Sequence, residues 1–167
     1  MPGRAFDYSS ANTFLLAWIA ERISGRPYAD LLADEIWSRI GAEGDAGITI
    51  VRTSGATTAH AGLSARLRDI ARFGLLFTPS WQIVSDMPLV SDRSLHEIVS
   101  GGRPASFAGD RALHAFRSRM PDDLPSHNSY QWDYVMPDGD FYKGGFGGQG
   151  LYISPARDLV IAFTGTM

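Results

Sequence analysis

Tyr8-Ser9-Ser10 stands at the mouth of an amphipathic stretch, and a glycine-rich Lys143-Gly144-Gly145-Phe146 stands near the far end of the 167-residue chain. A phenol, an ammonium and a bare backbone amide are half of a site for cleaving amides or esters. A phenol has a reference pKa of about 10, so it serves as a base near neutral pH only beside a cation that favours phenolate. Lys143, the single lysine of the chain, is the candidate for that cation. Five glycines fall within the seven residues 144–150, a composition that weakens a strand. Close approach of a ligand to the backbone would explain it. A carbonyl oxygen turning negative during attack could then be met by the Phe146 N–H, a donor of the kind that supplies about 3 kcal/mol in transition states. Each residue also has a plainer reading. Tyr8 could be a packed ring, Lys143 an exposed strand lysine, and the glycines a bulge at a sheet bend.

A nucleophile with a lysine of its own is what the sequence lacks. Position 140 is Asp140, so no Ser-x-x-Lys occurs. A Gly-x-Ser-x-Gly elbow is also lacking, which leaves a Ser-His-Asp triad without support. The four histidines, His60, His96, His114 and His127, show no metal-ligand spacing, and there are no cysteines. Neither a metal nor another cofactor is expected. Trp132 could line a substrate pocket or fill the core, and Gln149 could orient either a substrate amide or the sheet edge.

The elements that must carry these residues are set by hydrophobic period. Phe14, Leu15, Trp18, Ile19 and Ile23 recur on one face of a helix, with cap oxygens at Ser9, Ser10 and Asn12 and a left-handed stop at Gly25. Pro27 opens a second helix with Tyr28, Leu31, Leu32, Ile36 and Ile40 inward and Gly41 as its end. Residues 42–62 predict an irregular excursion around one short strand at 48–51. A third helix is expected from Leu63, carrying Leu67, Ile70, Gly74 and Phe77. Prolines punctuate residues 78–128, with short helices expected at 92–99 and 109–118. Tyr130, Trp132 and Tyr134 then alternate with Gln131, Asp133 and Val135 as in a strand. Turns at Pro137-Asp138-Gly139-Asp140 and Pro155-Ala156-Arg157-Asp158 divide the C-terminal residues into a three-stranded antiparallel meander. Helices segregated from such a sheet predict an α+β class, with helices packed on an antiparallel sheet.

Composition sets the outer bounds. A chain of this length is one domain's worth, able to bury about 70% of its unfolded surface. Hydrophobic residues at 44% and charged residues at 20% are ordinary for a globular protein. A net charge of −3 gives no electrostatic reason to expect nucleic acid or a membrane surface as partner. The longest apolar run, residues 14–20, is far short of the ~20 residues that span a bilayer. No secretory pattern opens the sequence, which favours the cytoplasm.

Taken in order, these motifs resemble a known family. Pro2-Gly3-Arg4-Ala5-Phe6-Asp7-Tyr8-Ser9-Ser10-Ala11-Asn12-Thr13, the run Leu63-Ser64-Ala65-Arg66-Leu67-Arg68-Asp69-Ile70-Ala71-Arg72-Phe73-Gly74 and Gly145-Phe146-Gly147-Gly148-Gln149 carry the likeness, with Pro155, Asp158 and Leu159-Val160-Ile161 behind them. Together they look like the serine β-lactamase-like superfamily that includes penicillin-binding proteins, in the branch of 6-aminohexanoate-dimer hydrolases and related esterases. The resemblance implies that Tyr8 matches the proton-shuttling tyrosine. It implies that Lys143 and Gly145 match the Lys-Thr/Ser-Gly strand, and that the Phe146 amide matches one oxyanion donor.

Two departures shape the expected substrate. Ser10 stands where class C β-lactamases carry Asn, and Gly144 replaces the hydroxyl residue that grips a β-lactam carboxylate. Loss of that hydroxyl favours a small-molecule amide or ester over specialised β-lactam hydrolysis, with Ser10, Trp132 and Gln149 as substrate contacts. In the family, a mixed domain and a helical domain carrying Ser-x-x-Lys form the whole enzyme. Residues 1–167 are therefore expected as a single domain, the C-terminal portion of such a β-lactamase-like hydrolase with a partial transpeptidase-like fold. Its parts would be a helix pair at 1–41, helices and irregular segments at 42–128, and a meander at 129–167. A homo-oligomer or a complementing N-terminal chain would cover the apolar surface left open. A non-catalytic interaction module on the same scaffold is the alternative.

Overall fold

The computed structural model describes residues 4–108 and 124–165. The first helix, α1 (Ser10–Ser24), ends where Gly25 takes φ 69°, a conformation that leaves a side chain crowded but suits glycine. Its start differs from expectation. Ser9 is the N-cap residue, yet no cap side chain accepts a hydrogen bond, and the Ser9 carbonyl takes the Asn12 N–H at 3.1 Å. Helix α2 (Tyr28–Glu35) follows Pro27 and is shorter than its apolar period predicts. At Ile36 the backbone leaves the helical region, and a 3-10 turn, Trp37–Arg39, replaces the last helical turn. That tighter turn gives the Trp37 indole N–H an acceptor in the Gly44 carbonyl at 2.9 Å and leaves Ile40 fully buried.

The expected strand at 48–51 is instead a two-residue ribbon, β1 (Gly47–Ile48) against β2 (Leu63–Ser64), with one further bridge between Ile50 and Thr57. Leu63 is thus in a strand, and helix α3 (Leu67–Leu75) begins four residues later than the sequence predicts. A 3-10 segment, Pro79–Ile83, is capped by the Thr78 hydroxyl. Helix α4 (Asp92–Ser100) is capped by Ser91, whose oxygen accepts the Ser94 N–H at 3.1 Å. A single helical turn, α5 (Pro104–Phe107), closes this part. The helix expected at 109–118 lies outside the described residues.

The sheet has five strands, two more than the expected three. They run antiparallel in chain order: β3 (His127–Ser129), β4 (Trp132–Val135), β5 (Phe141–Gly145), β6 (Gln149–Ser154) and β7 (Leu159–Phe163). Tyr130 and Gln131 are not strand residues. At φ 46° and 70° they form the two-residue turn between β3 and β4, the left-handed pair that matches strand twist in tight hairpins. With helices on a separate antiparallel sheet, the class is α+β.

Helix α3 packs on β6 and β7, and α4 on β3 and β4. Between them lies the core, in which Phe77, Trp132 and Phe141 meet edge to face. Their ring centroids are 5.2 Å (Phe77–Trp132), 5.7 Å (Phe77–Phe141) and 4.6 Å (Trp132–Phe141) apart, the geometry that aromatic quadrupoles favour. Gly74 lets α3 come this close, since a Cβ there would fall 2.6 Å from Val160 Cγ1. On the opposite face Tyr142 stacks between Tyr134 at 6.0 Å and Phe163 at 6.4 Å. Phe107 covers Tyr134 at 6.2 Å, while Ile161 and Phe163 stay exposed.

At one end of the sheet a buried carboxylate ties two turns together. Asp140 accepts from Arg157 Nη1 at 2.6 Å and from the Tyr152 hydroxyl, and Arg157 Nη2 reaches Asp138 at 2.9 Å. Burial first, and then the hydrogen bond to Asp140, push the Tyr152 phenol up to about 12.

This packing can be tested at two residues. Gly74→Ala should lower stability in urea by about 1–3 kcal/mol through overpacking, and Val160→Ala in the same chain should recover part of it. Because the Tyr152 pKa is raised from 10.0 to about 12, its contribution is present below pH 10 and is lost as pH climbs through 12. Alkaline urea titrations should show that loss in the parent chain, and Tyr152→Phe should flatten the slope over that window.

Candidate active site

Tyr8 sits in a strap of extended chain that leads into α1. The strap is anchored by the Phe6 N–H on the Ser106 carbonyl at 2.9 Å and by the Phe6 ring on Phe107 at 5.7 Å. Helix α1 is then tied to the β3–β4 turn, the Thr13 hydroxyl donating to Gln131 Oε1 at 2.5 Å. These two attachments set the tyrosine beside β5. Lys143 Nζ lies over the Tyr8 ring, 5.3 Å from its centroid, a cation–π contact of about 0.5–1 kcal/mol where solvent reaches it. Tyr8 and Asp133, from opposite ends of the chain, are two walls of one groove of about 150 Å³, shared with Asn12, Asn128, Tyr130 and Gln131.

Asp133 stands opposite Lys143 on β4, and its carboxylate does two things. Oδ1 accepts from Lys143 Nζ at 2.6 Å, and Oδ2 accepts the Gly144 N–H at 2.9 Å. Burial, and then the charge of this carboxylate, raise the pKa of the neighbouring Tyr142 phenol. At the other side of the groove Tyr130 donates its hydroxyl to Glu97 at 2.8 Å. Arg93 and then that hydroxyl hold the Glu97 carboxyl below its usual range.

Glycine density near Lys143 has local causes that the sequence does not reveal. The chain turns at Phe146–Gly148 between β5 and β6, with Gly147 at φ 84° and Gly148 at φ 79°. A Cβ on Gly150 would fall 2.5 Å from Phe163 Cζ and 2.6 Å from the Tyr142 hydroxyl. The sequence leads to the expectation of a strand edge presenting the Phe146 amide; the structure puts Phe146 in a hairpin turn, 91% exposed. Gln149 pairs with Gly145 across the hairpin and donates from Nε2 to the Phe146 carbonyl at 2.5 Å. Neither Phe146 nor Gln149 contributes to the groove walls.

Ser10, the first residue of α1, borders a second, apolar groove of about 460 Å³ together with Phe14, Leu15, Trp18 and His60. Trp132 is a core side chain, packed on Phe141 and Phe77, and it also borders the first groove.

Sequence reasoning passes over Asp133, Gln131, Thr13 and Asn128. Asp133 is within its reach. The expected turn at Pro137-Asp138-Gly139-Asp140 brings the strand of Asp133 beside that of Lys143, and the two meet as an ion pair. Thr13 and Gln131 join only through tertiary contact and leave no trace in local pattern.

Fold and groove together define a class. Residues 1–166 match the β-lactamase family, and the chain belongs to it. It is similar to the 6-aminohexanoate-dimer hydrolase of Paenarthrobacter ureafaciens, at 31% identity over 156 residues, which cover 93% of this chain and 38% of that protein. The chain therefore spans well under half the length of that relative.

Proposed function

We propose that this chain forms part of a serine hydrolase that opens amide or ester bonds through an acyl-enzyme. The observation that carries this reading is the Lys143 ammonium set 5.3 Å from the centre of the Tyr8 ring, beside an open groove. A tyrosine hydroxyl placed beside a serine can relay the serine proton to the leaving group. The nucleophilic serine, paired with its own lysine, comes from outside this sequence, which holds no Ser-x-x-Lys. The Phe146 amide, beside Gly145, supplies one oxyanion donor. Ser10, Gln149 and Trp132, which borders the groove from the core, are the substrate contacts in this reading. Similarity to a 6-aminohexanoate-dimer hydrolase and the absence of a hydroxyl at Gly144 both point toward linear amides or esters.

The partner that completes the site is a polypeptide bearing Ser-x-x-Lys. Leu15, Trp18, Ile19 and Ile23 on α1 are exposed, and the apolar groove beside Ser10 lies next to the strap that carries Tyr8. An apolar helix seated there would bring a nucleophile to the phenol. The same exposed face also supports a second reading, a non-catalytic interaction module that uses α1 to bind its partner.

The purified chain alone should take no label from a serine-directed fluorophosphonate. Mixed with a complementing polypeptide that carries Ser-x-x-Lys, it should restore turnover of an amide or ester. In that complex Tyr8→Phe, which keeps the ring under Lys143, should cut kcat by about a hundred- to ten-thousand-fold with little change in KM. Equal losses in kcat and in substrate binding would remove Tyr8 from proton transfer. Tight complex formation without turnover would favour the interaction module.

A further inference from the structure

Beside two wall residues of the groove, Tyr8 and Asp133, the one lysine ammonium of the chain is already engaged. Lys143 Nζ is 2.6 Å from Asp133 Oδ1, and the second oxygen of that carboxylate is fixed by the Gly144 N–H at 2.9 Å. Two bonds on two oxygens hold the carboxylate in one orientation. The two residues come from neighbouring strands, Asp133 from β4 and Lys143 from β5. The pair is partly sheltered, with side-chain exposures of 37% for Lys143 and 22% for Asp133. An ammonium held against the wall of a substrate groove is otherwise a natural seat for a substrate carboxylate, through a charge-assisted hydrogen bond. Here the protein supplies that carboxylate itself.

We propose that Asp133 is a specificity-determining residue: an internal counter-anion that occupies Lys143 and turns away substrates with a carboxylate beside the scissile bond. This inference rests on the hydrolytic reading of the groove and deepens it by naming the charge class of the substrate. Neutral amides and esters meet a balanced ion pair. An anionic one must either displace Asp133 or leave its own charge unpaired near it, and like charges in a part-buried groove repel. Gly144 acts in the same direction, since it offers no side-chain hydroxyl to a carboxylate. Asp133 also serves as a positioning residue, because the bond that occupies Lys143 holds its ammonium over the Tyr8 ring.

A single lysine makes the test direct. In protein labelled with 15N-lysine, one side-chain ammonium signal reports Lys143 alone. Phenylacetate is titrated against it, with N-methylphenylacetamide as the neutral probe. The parent chain should show little response to phenylacetate at Lys143. Asp133→Asn, which keeps a side-chain oxygen for the Gly144 amide, should bind phenylacetate about two- to fivefold more tightly, the scale of one partly exposed ion pair. Its affinity for the amide should change by less than its affinity for phenylacetate. Asp133→Glu, which keeps the charge, should behave like the parent.

Phenylacetate binding at Lys143 that is as tight in the parent as in Asp133→Asn would overturn the proposal. Should Asp133→Asn fail to fold, the parent titration still decides: ready saturation of the Lys143 signal by phenylacetate would sink it. The readout needs no turnover, so loss of the hydrolytic reading and loss of this inference give different results.

Discussion

The register of the β4–β5 hairpin is the constraint on which core and groove both depend. One pairing, Val135 with Phe141, puts two fully buried side chains into the helix-covered face of the sheet. On the same two strands, two residues from that pair, Asp133 accepts a hydrogen bond from Lys143. Because side chains alternate with period two, a slip of one residue would send Phe141 to the other face and carry Lys143 away from Tyr8. The buried Asp140 network makes such a slip costly. It locks the β4–β5 turn to the β6–β7 turn through Arg157 and Tyr152. Breaking it would leave a carboxylate buried without its cation.

The groove inherits its precision from that sheet and its other wall from α1. Helix α1 is a poor core element by itself, since most of its apolar residues face outward. What fixes it are polar and aromatic ties at its start: Thr13 to Gln131, and the strap through Phe6 to Phe107 and Ser106. These ties sit next to Tyr8. The helix is therefore best held beside Tyr8 and most open along its exposed apolar face.

Legibility in the sequence tracks the range of the forces involved. Helix α1 and its stop at Gly25 are readable because hydrophobic period and a left-handed glycine are local signals. The turns that bound β5 and β7 are readable for the same reason. Strand β3 is not, because His127–Ser129 is only three residues long and its turn uses Tyr130 and Gln131 in place of the usual glycine or asparagine. The glycines near Lys143 suggest an exposed strand edge, whereas Gly147 and Gly148 make a hairpin turn and Gly150 clears space for Phe163 and Tyr142. Composition cannot separate those causes.

By itself, the sequence determined the α+β class, the family, and the residue types available for chemistry: one tyrosine before a helix, one lysine before a glycine run, no Ser-x-x-Lys. Only the tertiary structure decided what those residues face. It turned Trp132 into the core, moved Phe146 to a hairpin tip, and gave Lys143 both a carboxylate and a ring to rest against. The reason is physical. Which side chains exist is written along the chain, but the charge an ammonium sees is set by groups folded within a few ångströms of it, and those come from β4 and from the strap before α1.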